Sequence, residues 1–299
     1  MPSLWDGNLN IYLAGICSRP YCIKEHNTNI HLALGQGGTS ACYKDYDTLS
    51  GKNMNLHLVA ANSGMKQIIE NQEYDSRIFI LESFFYVQDW MDDYIKNHWN
   101  FLLDSGAFTF MVKNKNNIDW NEYLERYAVY INRLDIKYFF ELDIDSIVGY
   151  NEVLKLRKKL ESLTNKKCIP VWHRARGKDA WLSMIKEYKY VTIGGIVTKE
   201  IGLKNYGIFT WLLNEAKKKN CKVHGLGFTN LNGMRKYKFY SVDSTAWIYG
   251  NRGGFLYKFC GDNLVKINTP PGKRLKPKEA AIHNFNEWVK FQKYAKECL

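Results

Sequence analysis

From residue 100 onward, short apolar runs alternate with stretches whose apolar positions recur every three or four residues, the spacing of one helix face. Residues 100–103, 137–142, 168–172, 190–193, 222–226 and 239–242 read as buried strands. Between them, 118–134, 150–163, 179–188, 209–219 and 231–238 read as helices; Trp120, Tyr123, Leu124, Tyr127, Tyr130 and Ile131 mark the apolar stripe of the first. Upstream, 9–16 reads as a first strand and 56–60 as a second, while 17–55, rich in Gly, Asn, Ser and Thr, reads as long loops. Residues 77–81 fit either a strand or the start of a helical stretch through Trp90 and Ile95. After the basic run 273–278, residues 279–296 form a closing helix whose Phe285, Trp288, Val289 and Phe291 pack it onto the body. Strict strand and helix alternation gives an α/β fold: a (β/α)8 TIM-type barrel with long N-terminal loops and a C-terminal helix, one domain over 1–299. A doubly wound open sheet is the alternative.

Composition adds a partner. The chain has 42 Lys and Arg against 30 Asp and Glu, a net charge of +12, and 15% of its residues are aromatic. A basic field favours a polyanion, and aromatic faces stack bases out of the helix stack, so nucleic acid is the expected partner. No apolar run reaches the ~18 residues of a membrane span, and no signal peptide opens the chain. With seven scattered cysteines, this points to the cytoplasm, a host's if the protein is viral. Cys17, Cys22, His26 and His31 are four possible zinc ligands at a spacing unlike common fingers, and no metal or cofactor is expected.

The chemistry concentrates at strand ends. Asp104 follows Phe101-Leu102-Leu103, and Asp243 follows Phe239-Tyr240-Ser241-Val242, so both carboxylates stand where strands run out into loops. Two carboxylates on one face can share the roles of nucleophile and acid/base at a glycosidic carbon. Taken singly, a strand-terminal Asp is more often a cap, Gly-Gly a turn, and His173 or His224 a structural histidine.

Their order along the chain resembles the tRNA-guanine transglycosylase superfamily, a family of (β/α)8 barrels. Asp104-Ser105-Gly106-Ala107-Phe108 compares with its DSGGF motif, and Phe140-Glu141-Leu142-Asp143 with the strand ending in a purine-reading Asp. Ile169 to His173 fits a strand whose polar side chain reaches the base, and Gly194-Gly195-Ile196-Val197-Thr198-Lys199-Glu200 the GGLAVGE loop. His224-Gly225-Leu226-Gly227 matches a G-x-G strand end; Ser241-Val242-Asp243-Ser244 and the Arg- and Gly-rich Gly250 to Gly254 match the nucleophile strand and its loop. The likeness spans about residues 100–255. It departs where the family's Gln after DSGGF is Thr109 here, and where the C-x-C-x-x-C zinc site of the tRNA-acting members has no counterpart. The short chain and Ser-Val-Asp-Ser-Thr-Ala-Trp look most like the DNA-acting branch, the 7-deazaguanine DNA transglycosylases of phages and bacteria.

The resemblance implies a base exchange: guanine in DNA replaced by a free 7-deazaguanine such as 7-cyano-7-deazaguanine, through a covalent Asp–sugar intermediate. Asp243 would be the nucleophile and Asp104 the general acid/base. Asp143, with Asp145 as an alternative, would read the purine edge. Ser105, Gly106, His173, Gly194, Gly195, His224 and Arg252 would line the substrate site. An RNA-acting relative, a glycoside hydrolase-type barrel and a catalytically silent nucleic-acid-binding barrel are the competing expectations.

Overall fold

The computed structural model describes residues 53–59, 78–96, 100–106, 109, 118–272 and 274–299. Seven strands form one parallel sheet: β1 (Asn55–Val59), β2 (Ile80–Ser83), β3 (Phe101–Asp104), β4 (Val171–Trp172), β5 (Tyr190–Ile193), β6 (Lys222–Gly225) and β7 (Ser241–Ser244). Their order is β3-β2-β1-β7-β6-β5-β4. Such strands are buried on both faces, which is why they read as nearly continuous apolar runs.

The expected strand at 137–142 shrinks to single bridges at Phe139 and Phe140. Those bridges nevertheless link the two sheet edges. Leu103 N–H donates to the Tyr138 carbonyl (3.0 Å) and Phe140 N–H to that of Leu103 (2.9 Å); across the segment, Ile169 N–H reaches the Phe139 carbonyl (2.8 Å). The sheet thus curls around a small core of its own, Val59, Leu81, Leu102, Phe140 and Ile169, separate from the larger one beneath the helices. Because strand side chains alternate, Leu81 and Leu102 point inward, and so do Ser83 and Asp104 two residues on.

Around the sheet lie α1 (Asp92–Lys96), α2 (Trp120–Arg133), α3 (Asp145–Val148), α4 (Tyr150–Thr164), α5 (Gly177–Glu187), α6 (Ile208–Lys218), α7 (Leu231–Lys236), α8 (Ala246–Gly253) and α9 (Pro277–Cys298). Helix α2 fixes one side of the site. Asp119 caps it, accepting from the N–H groups of Asn121 (2.9 Å) and Glu122 (3.1 Å). Its buried stripe sends Tyr127 Oη to within 3.1 and 3.0 Å of the Leu103 and Phe140 carbonyls, and Tyr123 Oη donates to the Ser105 carbonyl at 2.6 Å. The strand end carrying Asp104 is therefore held from below by two tyrosines.

One local expectation is corrected, and one element is new. Residues 246–253 are helical rather than an Arg- and Gly-rich loop, with Gly254 closing the helix at φ +68°. Residues 255–268 form an antiparallel hairpin, β8 (Phe255–Cys260) and β9 (Asn263–Asn268). The closing helix α9 packs through Phe285, Trp288 and Phe291 as expected, and its Gln292 also donates to the Leu56 (2.7 Å) and Phe79 (2.9 Å) carbonyls. No described helix is long and apolar enough to cross a membrane. The strand expected at 9–16 and the Cys17, Cys22, His26 and His31 set lie outside the described residues.

Candidate active site

All seven strands are parallel, so their C-terminal ends open on one face, and the candidate residues collect there. Asp104 is the last residue of β3. Asp243 is the third residue of β7, inside the strand rather than at the start of a loop. Both point toward the interior of the curl.

Asp104 is the residue poised to hold a proton. Burial pushes its pKa up to about 6; the Gly106 N–H, donating to Oδ2 at 2.9 Å, pulls it down, and the charges of Asp243 and Asp143 push it up again. Three carboxylates thus feel one another across the opening. Gly106 makes its turn at φ +79°, and a Cβ there would lie 2.7 Å from that of Phe85, so only glycine fits the approach. Ser105 and Ser83 bring buried hydroxyls that make no hydrogen bond within the described residues.

Asp243 is held in a different way. Its Oδ1 accepts from the Gly227 N–H at 2.6 Å and lies 3.1 Å from His224 Nε2. The other ring nitrogen of His224 is 2.7 Å from Ser241 Oγ, which is 2.5 Å from the Tyr190 hydroxyl. One set of proton positions satisfies every link: Tyr190 donates to Ser241, Ser241 to His224 Nδ1, and His224 Nε2–H to Asp243. His224 is fully buried between its partners. Both of its ring nitrogens face protein partners, Ser241 on one side and Asp243 on the other.

Asp143 belongs to a cluster of charges. His173 Nε2 lies 2.7 Å from Asp143 Oδ1, and its Nδ1 3.0 Å from Glu200 Oε2. Burial works against charging this imidazole, but the Asp143 hydrogen bond and the charges of Asp143 and Asp145 outweigh it and raise its pKa to about 9. Arg176, almost wholly buried, donates to Asp145 Oδ2 (2.9 Å), Glu141 Oε1 (2.9 Å) and the Val171 carbonyl, and lies 3.6 Å from Asp143. Beneath it, Arg157 pairs with Glu141 at 2.5 Å. Ligand atoms of Asp143, Asp145 and His173 lie within 4.8 Å of one another, close enough for a cation. Arg176 and a protonated His173 already supply positive charge there, which disfavours a metal ion.

The Gly194-Gly195 pair makes room for this cluster. A Cβ on Gly194 would sit 2.7 Å from His173 Cε1, and one on Gly195, at φ +77°, 2.6 Å from Glu200 Oε2. Gly194 N–H donates to the Trp172 carbonyl (2.9 Å) and the Gly195 carbonyl accepts from Ile201 (3.0 Å). The remaining edge groups, the Gly194 carbonyl and the Gly195 N–H, make no hydrogen bond within the described residues.

Arg252 lies on α8, and its side chain is outside the described residues. Sequence reasoning missed Arg176, Glu141, Tyr190 and Ser241 as supports. The Arg174-Ala175-Arg176 run just after β4 was the available signal for the first.

No family model and no curated relative matches the chain. Solved structures similar to it include one from Coccidioides immitis described as a fructose-1,6-biphosphate aldolase (10% identity, 82% of this chain, 89% of that one, TM-score 0.48). Another is the CitE protein of Mycobacterium tuberculosis (9% identity, 80% and 100% coverage, TM-score 0.38). A third is the carboxyl transferase domain of Rhizobium etli pyruvate carboxylase (13% identity, 83% and 48% coverage, TM-score 0.41). These likenesses are too loose to carry any part of the functional argument.

Proposed function

We propose that this protein is an enzyme that exchanges a guanine base in DNA for a free 7-deazaguanine, working from a (β/α)8 barrel in which residues 138–141 are the eighth stave. The observation that carries the reading is the contrast between two inward carboxylates on one face. Asp104 has a pKa lifted to about 6. Asp243 receives two donors on a single oxygen. A proton-holding acid opposite an anchored carboxylate is what displacement at an anomeric carbon requires.

In the first step, Asp243 Oδ2, the oxygen free of the two donors, attacks C1′. The C1′–N9 bond breaks, its electron pair leaves with the purine, and Asp104 gives that purine a proton. In the second, Asp104 as carboxylate takes the N9 proton of the incoming base, N9 attacks C1′, and the ester electrons return to Asp243. Two inversions retain configuration. Asp143 uses one oxygen for His173, leaving Oδ2 to accept from the N1–H and amine of a guanine-like edge, while the Gly195 N–H faces the carbonyl edge. The target nucleotide leaves the stack to present C1′.

The DNA assignment and the deazaguanine co-substrate are supported by the order of the six motifs and the +12 charge. Mass analysis of nucleosides from DNA incubated with the protein and 7-cyano-7-deazaguanine tests them. Incorporation into DNA and little into tRNA is expected; equal or better labelling of tRNA overturns the DNA assignment. Asp243→Asn removes both exchange and the denaturant-stable adduct formed when the second base is withheld, and leaves DNA binding. Asp104→Asn slows exchange by about a hundredfold to ten-thousandfold. Exchange that survives in both variants overturns the two-carboxylate mechanism.

A further inference from the structure

A hollow opens next to Gly227, the residue whose N–H donates to Asp243. It is a cleft of about 660 Å³ between the loop after β5 and the loop after β6, within the ~300–1,000 Å³ range of ligand sites. Gly227, whose N–H holds Asp243, is part of its wall. Lys199 and Lys204 stand on its rim, and neither has an acidic partner within the described residues. Half-buried Tyr206 lines the cleft, its ring packed 4.9 Å from that of Phe209 and 5.4 Å from that of Phe228. Cations above an aromatic and apolar floor suit a nucleotide: phosphate at the rim, sugar and base on the floor.

The loop is built to hold that arrangement. Lys199 takes φ +63°, a left-handed conformation that costs a non-glycine residue energy and persists only where neighbours enforce it. Two sets of bonds enforce it here. Glu200 is gripped from both sides, Oε2 by His173 at 3.0 Å and Oε1 by the Ala175 N–H at 2.9 Å. Ile201 N–H closes the loop onto the Gly195 carbonyl at 3.0 Å. With Glu200 turned into the Asp143 cluster, the left-handed Lys199 belongs to the cleft side. Val197, on the loop after β5, approaches Gly227 so closely that a Cβ there would collide with it, so the two loops meet at this point.

We propose that this cleft binds the DNA nucleotide adjacent to the exchanged one, with Lys199 and Lys204 neutralising its phosphates. This rests on the base-exchange reading above. The test uses Lys199→Gly with Lys204→Ala; glycine suits the positive φ at 199, so the loop is kept. Affinity for a DNA oligonucleotide is measured against salt concentration in wild type and the double variant, alongside exchange kinetics. The slope of log affinity against log salt should fall by about 0.7–0.9 for each phosphate that the variant no longer neutralises. KM for the oligonucleotide should rise at least severalfold, while kcat and KM for the free base stay unchanged. A DNA carrying a photoreactive pyrimidine next to the target guanine should crosslink within residues 196–206 or 226–230.

An unchanged slope and an unchanged oligonucleotide KM overturn the proposal. A raised KM for the free base alone overturns it too, since the cleft would then hold the co-substrate. The binding measurement needs no turnover. Absence of exchange in wild type therefore strikes the base-exchange reading, and an unchanged salt slope strikes the cleft.

Discussion

His224 Nε2 lies 3.1 Å from Asp243 Oδ1, on the third residues of two adjacent strands, and that contact falls on the same oxygen that accepts from the Gly227 N–H. The bond that fixes the imidazole comes from Ser241 on the same strand as Asp243. One strand therefore carries both the Asp243 carboxylate and the hydroxyl that orients its partner.

His224→Leu should lower kcat by about tenfold to a hundredfold, the range seen for outer partners that orient metal ligands, with little change in KM for either substrate. His224→Gln retains an amide donor and should recover part of that activity. Ser241→Ala, which removes the donor to Nδ1, should lie between wild type and His224→Leu. Equal drops in kcat and folding stability across all three, with no recovery in His224→Gln, would make the relay a packing device only.

The pH profile reports on Asp104. The proposed mechanism requires Asp104 to be protonated when the base departs, so kcat/KM should fall as pH rises past about 6. Burial is the main reason its pKa stands there, and the negative charges of Asp243 and Asp143 add to it. Asp143→Asn deletes one of those charges. The limb should then move to lower pH, whatever happens to its height. A limb that stays in place would show that Asp143 and Asp104 are not coupled during turnover.

How much of the fold and site is legible in the sequence follows from what each signal depends on. Apolar runs such as Phe101 to Leu103 announce themselves because a parallel strand is buried on both faces. The hairpin does not, because β9 is half exposed and its residues carry no continuous apolar run. Its one local signal is Gly261-Asp262 between alternating runs, with Gly261 at φ +68°. Helix α8 is hidden by its glycines, Gly250 and Gly253, which read as loop. Gly250 is instead a packing site, where a Cβ would meet the Phe255 carbonyl at 2.8 Å. At the site, strand ends expose Asp104, Asp143 and Asp243 as candidates. Arg176 and Tyr190 are not legible as supports, because their roles depend on partners 31 and 51 positions away.

Gly194 tests the packing of the base-reading side. Its backbone does not require glycine, so Gly194→Ala isolates the steric effect. The new methyl carbon would lie 2.7 Å from His173 Cε1 and 2.9 Å from Val171 Cγ1. Relief of that clash should cost about 1–3 kcal/mol of stability. It should also push His173 off Asp143 and raise KM for the free base. A variant with wild-type stability and KM would mean that the imidazole has room to move without consequence.

His173 provides a prediction about stability against pH. Burial opposes its charge, but the hydrogen bond to Asp143 at 2.7 Å and the charges of Asp143 and Asp145 win, and its pKa rises from an ordinary 6.5 to about 9. A folded-state pKa above the unfolded one means that the native protein binds a proton the unfolded chain has released. The contribution is therefore complete below pH 6.5, shrinks as pH rises, and is gone above about 9. Its size follows from ~1.4 kcal/mol per pKa unit, which sets an upper limit of about 3 kcal/mol. Burial holds the Cys168 and Cys221 thiols above this window in the native protein, whereas unfolding releases them to ionise at its upper end, so the wild-type curve alone does not isolate the histidine. The difference between wild type and His173→Gln does, since both carry the same thiols. Urea unfolding at pH 6 and at pH 9 should show wild type ahead of the variant at the lower pH and the gap nearly closed at the higher. A gap that keeps its size from pH 6 to 9 would show that His173 stays neutral in the native protein, and that Arg176 alone supplies the positive charge beside Asp143.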